Sequence, residues 1–235
     1  MKITLLNGPT CDYQAYCGFA LKVVNSSRAK RLSLRIDEKQ HLPVLTIPKR
    51  CSQKKVKEFL DTNHDWIVNM MGRLPQASKF SDGEKISFFG QEYTISHSPQ
   101  NHLTEFADNI LSVSGDIEFI HRRVTDYLKS QSLKILSDMT VKTASLLDKK
   151  VKSITIKDTR SRWGSCSTSG HITYNWRICM APLEVINYLV CHEVSHLKHP
   201  DHSPEFWACV SSLCPQYKET RHWLKTHGKY LYKYI

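Results

Sequence analysis

The chain is 235 residues long, 40% hydrophobic, with 33 Lys+Arg against 22 Asp+Glu, a formal net charge of +11. That length buries a sizeable core as one large domain or two small ones, and the composition excludes disordered, collagen-like and fibrous chains. No apolar stretch approaches the ~18–20 residues of a membrane span, and the opening apolar run meets Asn7-Gly8-Pro9 too early for a secretory signal, so a cytoplasmic protein with no membrane partner is expected.

The first ~115 residues read as β-rich. Short alternating or apolar runs fall at Lys2–Leu6, Arg31–Ile36, Leu42–Ile47, Ile86–Phe89, Tyr93–Ile95 and Ile110–Val113, punctuated by Asn-Gly, Ser-Asp-Gly and Ser-Gly turn signals. One helix interrupts them from Ser52 onward, where Val56, Phe59, Leu60, Ile67 and Met70 recur near helical period. The second half reads as helical. Residues 117–148 place Ile120, Val124, Leu128, Ile135, Met139 and Leu146 on one stripe, widened by Leu136 and Leu147. A strand at Ser153–Ile156 leads into a Gly/Ser-rich stretch, Arg160 to Ser167, and a second strand at Ile172–Asn175. Pro182 suits the first turn of a helix whose Val185, Ile186, Leu189, Val190, Val194 and Leu197 form a core face. The expected architecture is α+β: a β-rich lobe over 1–115 packed on a helical lobe over 116–235, with a cleft between them. No repeat or low-complexity segment is visible.

Charge and cysteine distribution narrow the function classes. Residues 1–100 carry 15 basic and 9 acidic residues, and residues 101–235 carry 18 and 13. No basic tail or basic domain stands out, so a solvated basic surface is favoured over a nucleic-acid partner. The eight cysteines, at 11, 17, 51, 166, 179, 191, 209 and 214, form no C-x-x-C pair. Neither a disulfide framework nor a cysteine-based zinc knuckle follows.

The chemistry concentrates near the C-terminus. The last-named helix contains His192-Glu193-Val194-Ser195-His196, and residues four apart on a helix share a face, so both imidazoles reach one metal ion. Glu193 is turned by ~100° from them and is better placed to take a proton from a water than to be a ligand. A catalytic zinc wants a third protein ligand and an open position, where it lowers the pKa of water to ~7. His199 lies seven residues beyond His192, ~10 Å along a continuous helix, too far to share the ion. Pro200 ends the helix nearby, the chain turns through Asp201, and Ser203-Pro204 caps a new helix over Pro204–Leu213. His202, on that turn, is the favoured third ligand. The remaining histidines, from His41 to His227, show no ligand spacing.

Several segments together carry a family resemblance. They are Arg160-Ser-Arg-Trp-Gly-Ser-Cys-Ser167, Gly170-His-Ile-Thr-Tyr-Asn-Trp-Arg177, Ala181-Pro182, Cys191-His-Glu-Val-Ser-His-Leu197 and His202-Ser-Pro-Glu-Phe-Trp207. With Arg28 to Asp37, Ile47 to Arg50 and Asp65-Trp66-Ile67, the chain resembles the YgjP-like metallopeptidase family, similar in its core to SprT-like and WLM proteases, over about residues 15–230. Val194 stands where a Leu is common. The resemblance implies a zincin-like hydrolase with one zinc ion per chain held by His192, His196 and His202, and Glu193 as general base. It assigns no firm role to Arg162, Trp163, Asn175 or Arg177, which are expected beside the zinc helix as substrate-binding candidates.

Three functions remain in play. A zinc metallopeptidase is first. A nucleoside triphosphate pyrophosphatase acting on uridine nucleotides is the alternative the family implies. A DNA-associated protease or nucleic-acid-binding protein would use Trp66, Trp163, Tyr174 and Trp176 as stacking platforms, and is not favoured because those aromatics sit within apolar patterns.

Overall fold

A computed structural model describes residues 12–16, 18–37, 40–74, 78–100, 103–159 and 162–234 of the chain. The strand expected at Lys2–Leu6 lies outside them. The fold is mixed α+β, with six helices and three small sheets among the described residues. No described helix is long and apolar enough to cross a membrane. The chain divides into two compact units, one up to residue 77 and one over 78–234.

In the first unit, strands β1 (Asp12–Tyr16), β2 (Phe19–Ser26), β3 (Ser33–Asp37) and β4 (Leu42–Pro48) form one sheet in the order β1-β2-β4-β3, with β2 and β4 parallel. Leu21, Val23, Leu45 and Ile47 bury one face against Val56, Leu60 and Ile67 of two helices, α1 (Gln53–Thr62) and α2 (His64–Gly72). Sequence periodicity predicts one helix here. Two form because Asn63 leaves the helical region (φ −102°, ψ 9°), and its side-chain Nδ2 donates to the Phe59 carbonyl at 2.7 Å. A local side-chain bond of this kind competes with helix continuation.

The second unit begins with β5 (Lys85–Phe88), β6 (Gln91–His97), β7 (Glu105–Ala107) and β8 (Ile110–Val113), in the order β5-β6-β8-β7. Hairpin, parallel pair and hairpin follow each other as in the first sheet, a duplication of topology that no sequence repeat announces. A long helix, α3 (Ile120–Ser145), then precedes β9 (Ser153–Lys157), β10 (Gly164–Cys166) and β11 (His171–Asn175). These three make a sheet in the order β10-β11-β9, with β11 antiparallel to β10 and parallel to β9. A 3-10 helix over Trp176–Met180 leads to α4 (Leu183–Ser195), α5 (Pro204–Leu213) and α6 (Tyr217–His227). Pro182 is the N-cap of α4 rather than its first helical residue.

The unit boundary at 77 replaces the boundary expected at 115. Phe80, and Ile86, Phe88, Ile95, Leu111 and Val113 of the β5–β8 sheet, share one core with Val124 and Leu128 of α3 and with Ile186 and Val190 of α4. Apolar burial binds the sheet to the helices that follow it, and a β-rich composition cannot reveal that partnership. The C-terminus closes the same unit. Ser78 N donates to the Lys233 carbonyl at 2.9 Å, Phe80 stacks on Tyr234 at 3.9 Å, and Glu84 accepts from Lys233 Nζ and Tyr234 OH at 2.9 Å each.

The face that α3 buries is a strict i+4 series: Ile120, Val124, Leu128, Ser132, Leu136, Thr140 and Ala144. Leu146, expected on the stripe, is 74% exposed. Four residues overshoot a turn by ~40°, so the row winds around the helix. Along its length α3 meets β8, the 3-10 helix, α4 and β9. The two polar members are satisfied: Ser132 Oγ donates to the Leu128 carbonyl at 2.6 Å, and Thr140 Oγ1 pairs with Tyr174 OH at 2.9 Å. Leu128→Ala is expected to cost about 2–5 kcal/mol through the cavity it leaves, and Leu146→Ala less than about 0.5 kcal/mol, in denaturant unfolding. Equal costs would contradict this burial pattern.

Candidate metal centre

Helix α4 is apolar around most of its surface, with Val185, Ile186, Leu189, Val190 and Val194 in the core, so its His192 and Glu193 are carried into the interior. His196 is the C-cap residue. The helix then unwinds in a short turn, with Lys198 N and His199 N both donating to the Ser195 carbonyl. Asp201 Oδ1 accepts from Ser203 N at 3.3 Å, and Ser203 Oγ accepts from Phe206 N at 3.4 Å to cap α5. This reversal returns His202 to the helix it has just left.

The result is a three-histidine cluster. One ligand atom from each of His192, His196 and His202 lies within 4.8 Å of the others. His192 Nε2 and His202 Nε2 are 3.3 Å apart. Two nitrogens ~2.05 Å from one tetrahedral zinc ion would stand ~3.3 Å apart, so the pair fits that ion. His196 Nδ1 lies 3.1 Å from the His199 carbonyl oxygen. A carbonyl only accepts, so Nδ1 carries the proton and Nε2 keeps its lone pair for a metal. His199 thus contributes its backbone, not its imidazole. Burial pushes the His192 pKa down to about 3, helped by repulsion from the other two rings and Arg221, and burial also lowers His196. Both are neutral imidazoles at pH 7, the form that binds metal.

Phe206 organises the cluster from below. It is fully buried on α5, stacks on His196 at 4.4 Å, and lies 5.0 Å from His192 and 4.8 Å from His202. Trp207 adds contacts of 5.7 Å to His192 and 5.8 Å to His202. Sequence reasoning gives these two aromatics no role. The available signal is Phe206 standing four residues after His202, on the helix that Ser203 caps.

Glu193 is 3% exposed and its carboxylate rests against Gly164 at the start of β10. A Cβ at position 164 would overlap Oε1, so only glycine leaves room for the carboxylate there. Burial pushes its pKa up to about 8, against a lowering by the Arg162 charge. A divalent cation held by the neighbouring imidazoles would draw that value back down by direct Coulomb attraction. Cys166, on the same strand, is held up at about 11 by burial and by the Glu193 charge, and Cys191 at about 12 by burial. Both remain thiols, so neither supplies a thiolate nucleophile.

The four residues expected to bind substrate separate into two pairs. Arg162 is exposed and its charge acts on Glu193; Trp163 is half-buried, 5.1 Å from the Tyr232 ring. Asn175 and Arg177 do not fit the expectation. Asn175 is fully buried, its Nδ2 donating to the Thr159 carbonyl at 2.9 Å and to Tyr232 OH at 3.0 Å, while its Oδ1 accepts from Arg177 N at 3.0 Å. Arg177, 3% exposed, pairs with Asp158 and donates through Nη2 to the Tyr234 carbonyl at 2.9 Å. Their polar atoms tie the C-terminal tail to the sheet instead of facing a substrate. Tyr174 and Trp176 are at most 1% exposed and cannot stack on bases.

Three comparisons bear on this geometry. A family model described as "YgjP-like, metallopeptidase domain" matches residues 30–227. Among solved structures, the crystal structure of the metallopeptidase zymogen of Pyrococcus abyssi abylysin aligns with 24% identity and a TM-score of 0.35, over 38% of this chain and 93% of that one. No curated protein matches.

The raised Glu193 pKa has a measurable consequence. A raised folded-state value means the folded protein holds the proton more tightly than the unfolded chain. Its contribution to stability is therefore full below pH ~4.5, the group's ordinary value, and is lost as pH rises through about 8. In chelator-treated protein, the melting temperature of the wild type minus that of Glu193→Gln should fall between pH 5 and 8.5 in scanning calorimetry. The opposing histidine contributions are common to both proteins and cancel. Parallel profiles would count against the burial argument.

Proposed function

The chain belongs to the YgjP-like metallopeptidase family, and from that premise we propose a zinc-dependent peptidase in which His192, His196 and His202 hold one zinc ion and Glu193 is the general base. The observation that carries the reading is the convergence of three imidazole nitrogens within 4.8 Å, with a buried carboxylate on the adjacent helical position. Three protein ligands leave a fourth position open, the pattern of a catalytic rather than a structural zinc site. When bound, the ion supplies Lewis acidity, lowering the pKa of water at the open position and polarising the scissile carbonyl.

The residues of the chain do the rest. Glu193 Oε accepts a proton from the attacking water and delivers it to the departing nitrogen, so the peptide bond breaks to release a neutral amine instead of an amide anion. Gly164 keeps the carboxylate in place by offering no side chain. Arg162 tempers the cost of its negative charge. Among the described residues, strand β10 is an edge of its sheet, paired only with β11, so its outer backbone groups can accept an extended peptide as an added strand. That placement would lay a peptide beside Glu193, because Gly164 belongs to both the edge strand and the carboxylate's seat.

Two variants separate binding of the ion from the chemistry. Glu193→Gln should keep about one equivalent of zinc by elemental analysis while kcat falls by about 10²–10⁴ on an unfolded protein substrate. His202→Ala should lose both zinc and activity. Full hydrolysis by zinc-loaded Glu193→Gln would sink the mechanism. Hydrolysis of nucleoside triphosphates, lost in the same variant, with no peptide cleavage, would replace the substrate class. Gly164→Ala should retain zinc and lose at least about tenfold in kcat, since the new methyl displaces Glu193 rather than a histidine.

A further inference from the structure

The second unit contains a cavity of about 530 Å³ that the catalytic reading leaves without a task. Two aromatic residues, Trp163 and Tyr188, wall it, together with Lys218, Arg221, His222 and Lys225 of α6. No carboxylate lines it. The helix explains the concentration of charge: positions 218, 221, 222 and 225 recur at three- and four-residue spacing and share one face, while Thr220 is buried and Leu224 packs on the core and lines the cavity floor beside them. Among the described residues, none of Lys218, Arg221 and Lys225 is engaged in an ion pair. This face of α6 therefore presents three exposed positive charges to the cavity.

The cavity adjoins the metal centre by three routes. Tyr188 precedes His192 by one helical turn, ~6 Å along α4, with ring centroids 5.8 Å apart. Trp163 immediately precedes Gly164, against which the Glu193 carboxylate rests. The Arg221 guanidinium lies 4.5 Å over the Trp207 ring, and that ring touches His192 and His202. A substrate whose scissile bond sits at Glu193 therefore has neighbouring residues within reach of this cationic, aromatic-walled space.

We propose that the cavity is a substrate-specificity subsite that receives a carboxylate, from an acidic side chain near the scissile bond or from the peptide's C-terminus. The proposal rests on the peptidase reading for its substrate class. Arg221 offers a planar fork suited to a carboxylate, held in place by stacking on Trp207. Lys218 and Lys225 add charge on either side. Trp163 and Tyr188 present flat apolar surface to the stem that carries the carboxylate. These are positioning contacts for the substrate and leave the proton transfer to Glu193.

The test uses the zinc-loaded protein and an alanine-glycine nonapeptide with a single Glu moved one position at a time, each matched by its Gln counterpart. A second set has free or amidated C-termini. The wild type should prefer one acidic position, or the free terminus, by about tenfold in kcat/KM, expressed in KM. The preference should collapse toward unity in Lys218→Gln/Arg221→Gln/Lys225→Gln and at 0.5 M salt. A preference at one internal position assigns a side chain; a preference for the acid over the amide assigns the terminus. Binding of fluorescein-labelled Glu and Gln peptides to zinc-loaded Glu193→Gln, read by anisotropy, decides the subsite even if no peptide is cleaved. Equal affinity for the two peptides, or a preference that survives the triple substitution, overturns the proposal. Displacement of the Glu peptide by inorganic pyrophosphate at lower concentration than by glutarate overturns it in favour of phosphate.

Discussion

Two imidazoles one turn apart on a buried helix impose a demand on everything that follows them. A third ligand cannot come from the same helix, because the next residue on that face is too far along the axis. The chain must stop the helix within a few residues and return. Ser195 supplies the stop, accepting from both Lys198 and His199 through its carbonyl, and Ser203 starts the next helix by capping Phe206 N. His202 lies between those two fixed points. The cap also delivers Phe206 against all three rings, so one device sets the third imidazole and the apolar floor. That floor lowers the dielectric around the imidazoles and keeps His192 neutral. Ligand competence follows from packing as much as from residue type.

Much of this is legible in the sequence alone. Helical period identifies the His192/His196 face, and Pro200, Ser203 and Pro204 are local signals whose meaning needs no distant partner. Strands at Leu42–Pro48, Lys85–Phe88 and His171–Asn175 likewise follow from short-range alternation. What escaped depends on partners far away in sequence. The β5–β8 sheet joins the helical unit because its apolar face meets α3 and α4, not because of its own composition. Ser132 and Thr140 look like solvent positions until Leu128 and Tyr174 are known to accept or share their protons. α6 carries few apolar residues and so shows no strong stripe, although its cations mark a face as clearly as leucines would.

Asn175 and Arg177 illustrate a different failure. Polar residues beside a catalytic motif invite a substrate role, and the sequence offers nothing against it. Burial decides otherwise. A guanidinium at 3% exposure must find partners within the protein, and it finds Asp158 and the Tyr234 carbonyl. The pair thereby fastens the last residues of the chain to the end of β11.

That fastening bears on the site through strand register. β10 and β11 pair with Gly164 opposite Tyr174, and Asn175 N donates to the Trp163 carbonyl at 2.7 Å. A slip of one residue would bring Trp163 or Ser165 beneath the Glu193 carboxylate and turn every side chain of β10 to the opposite face. Tyr174 is locked on its other side by Thr140 of α3, and Asn175 by Thr159 and Tyr232. The hairpin is therefore held at residues 174 to 177 by bonds to α3, Thr159 and the C-terminal tail. The position of the Glu193 carboxylate is set by a glycine, and the position of the glycine by a buried polar network at the far end of its partner strand.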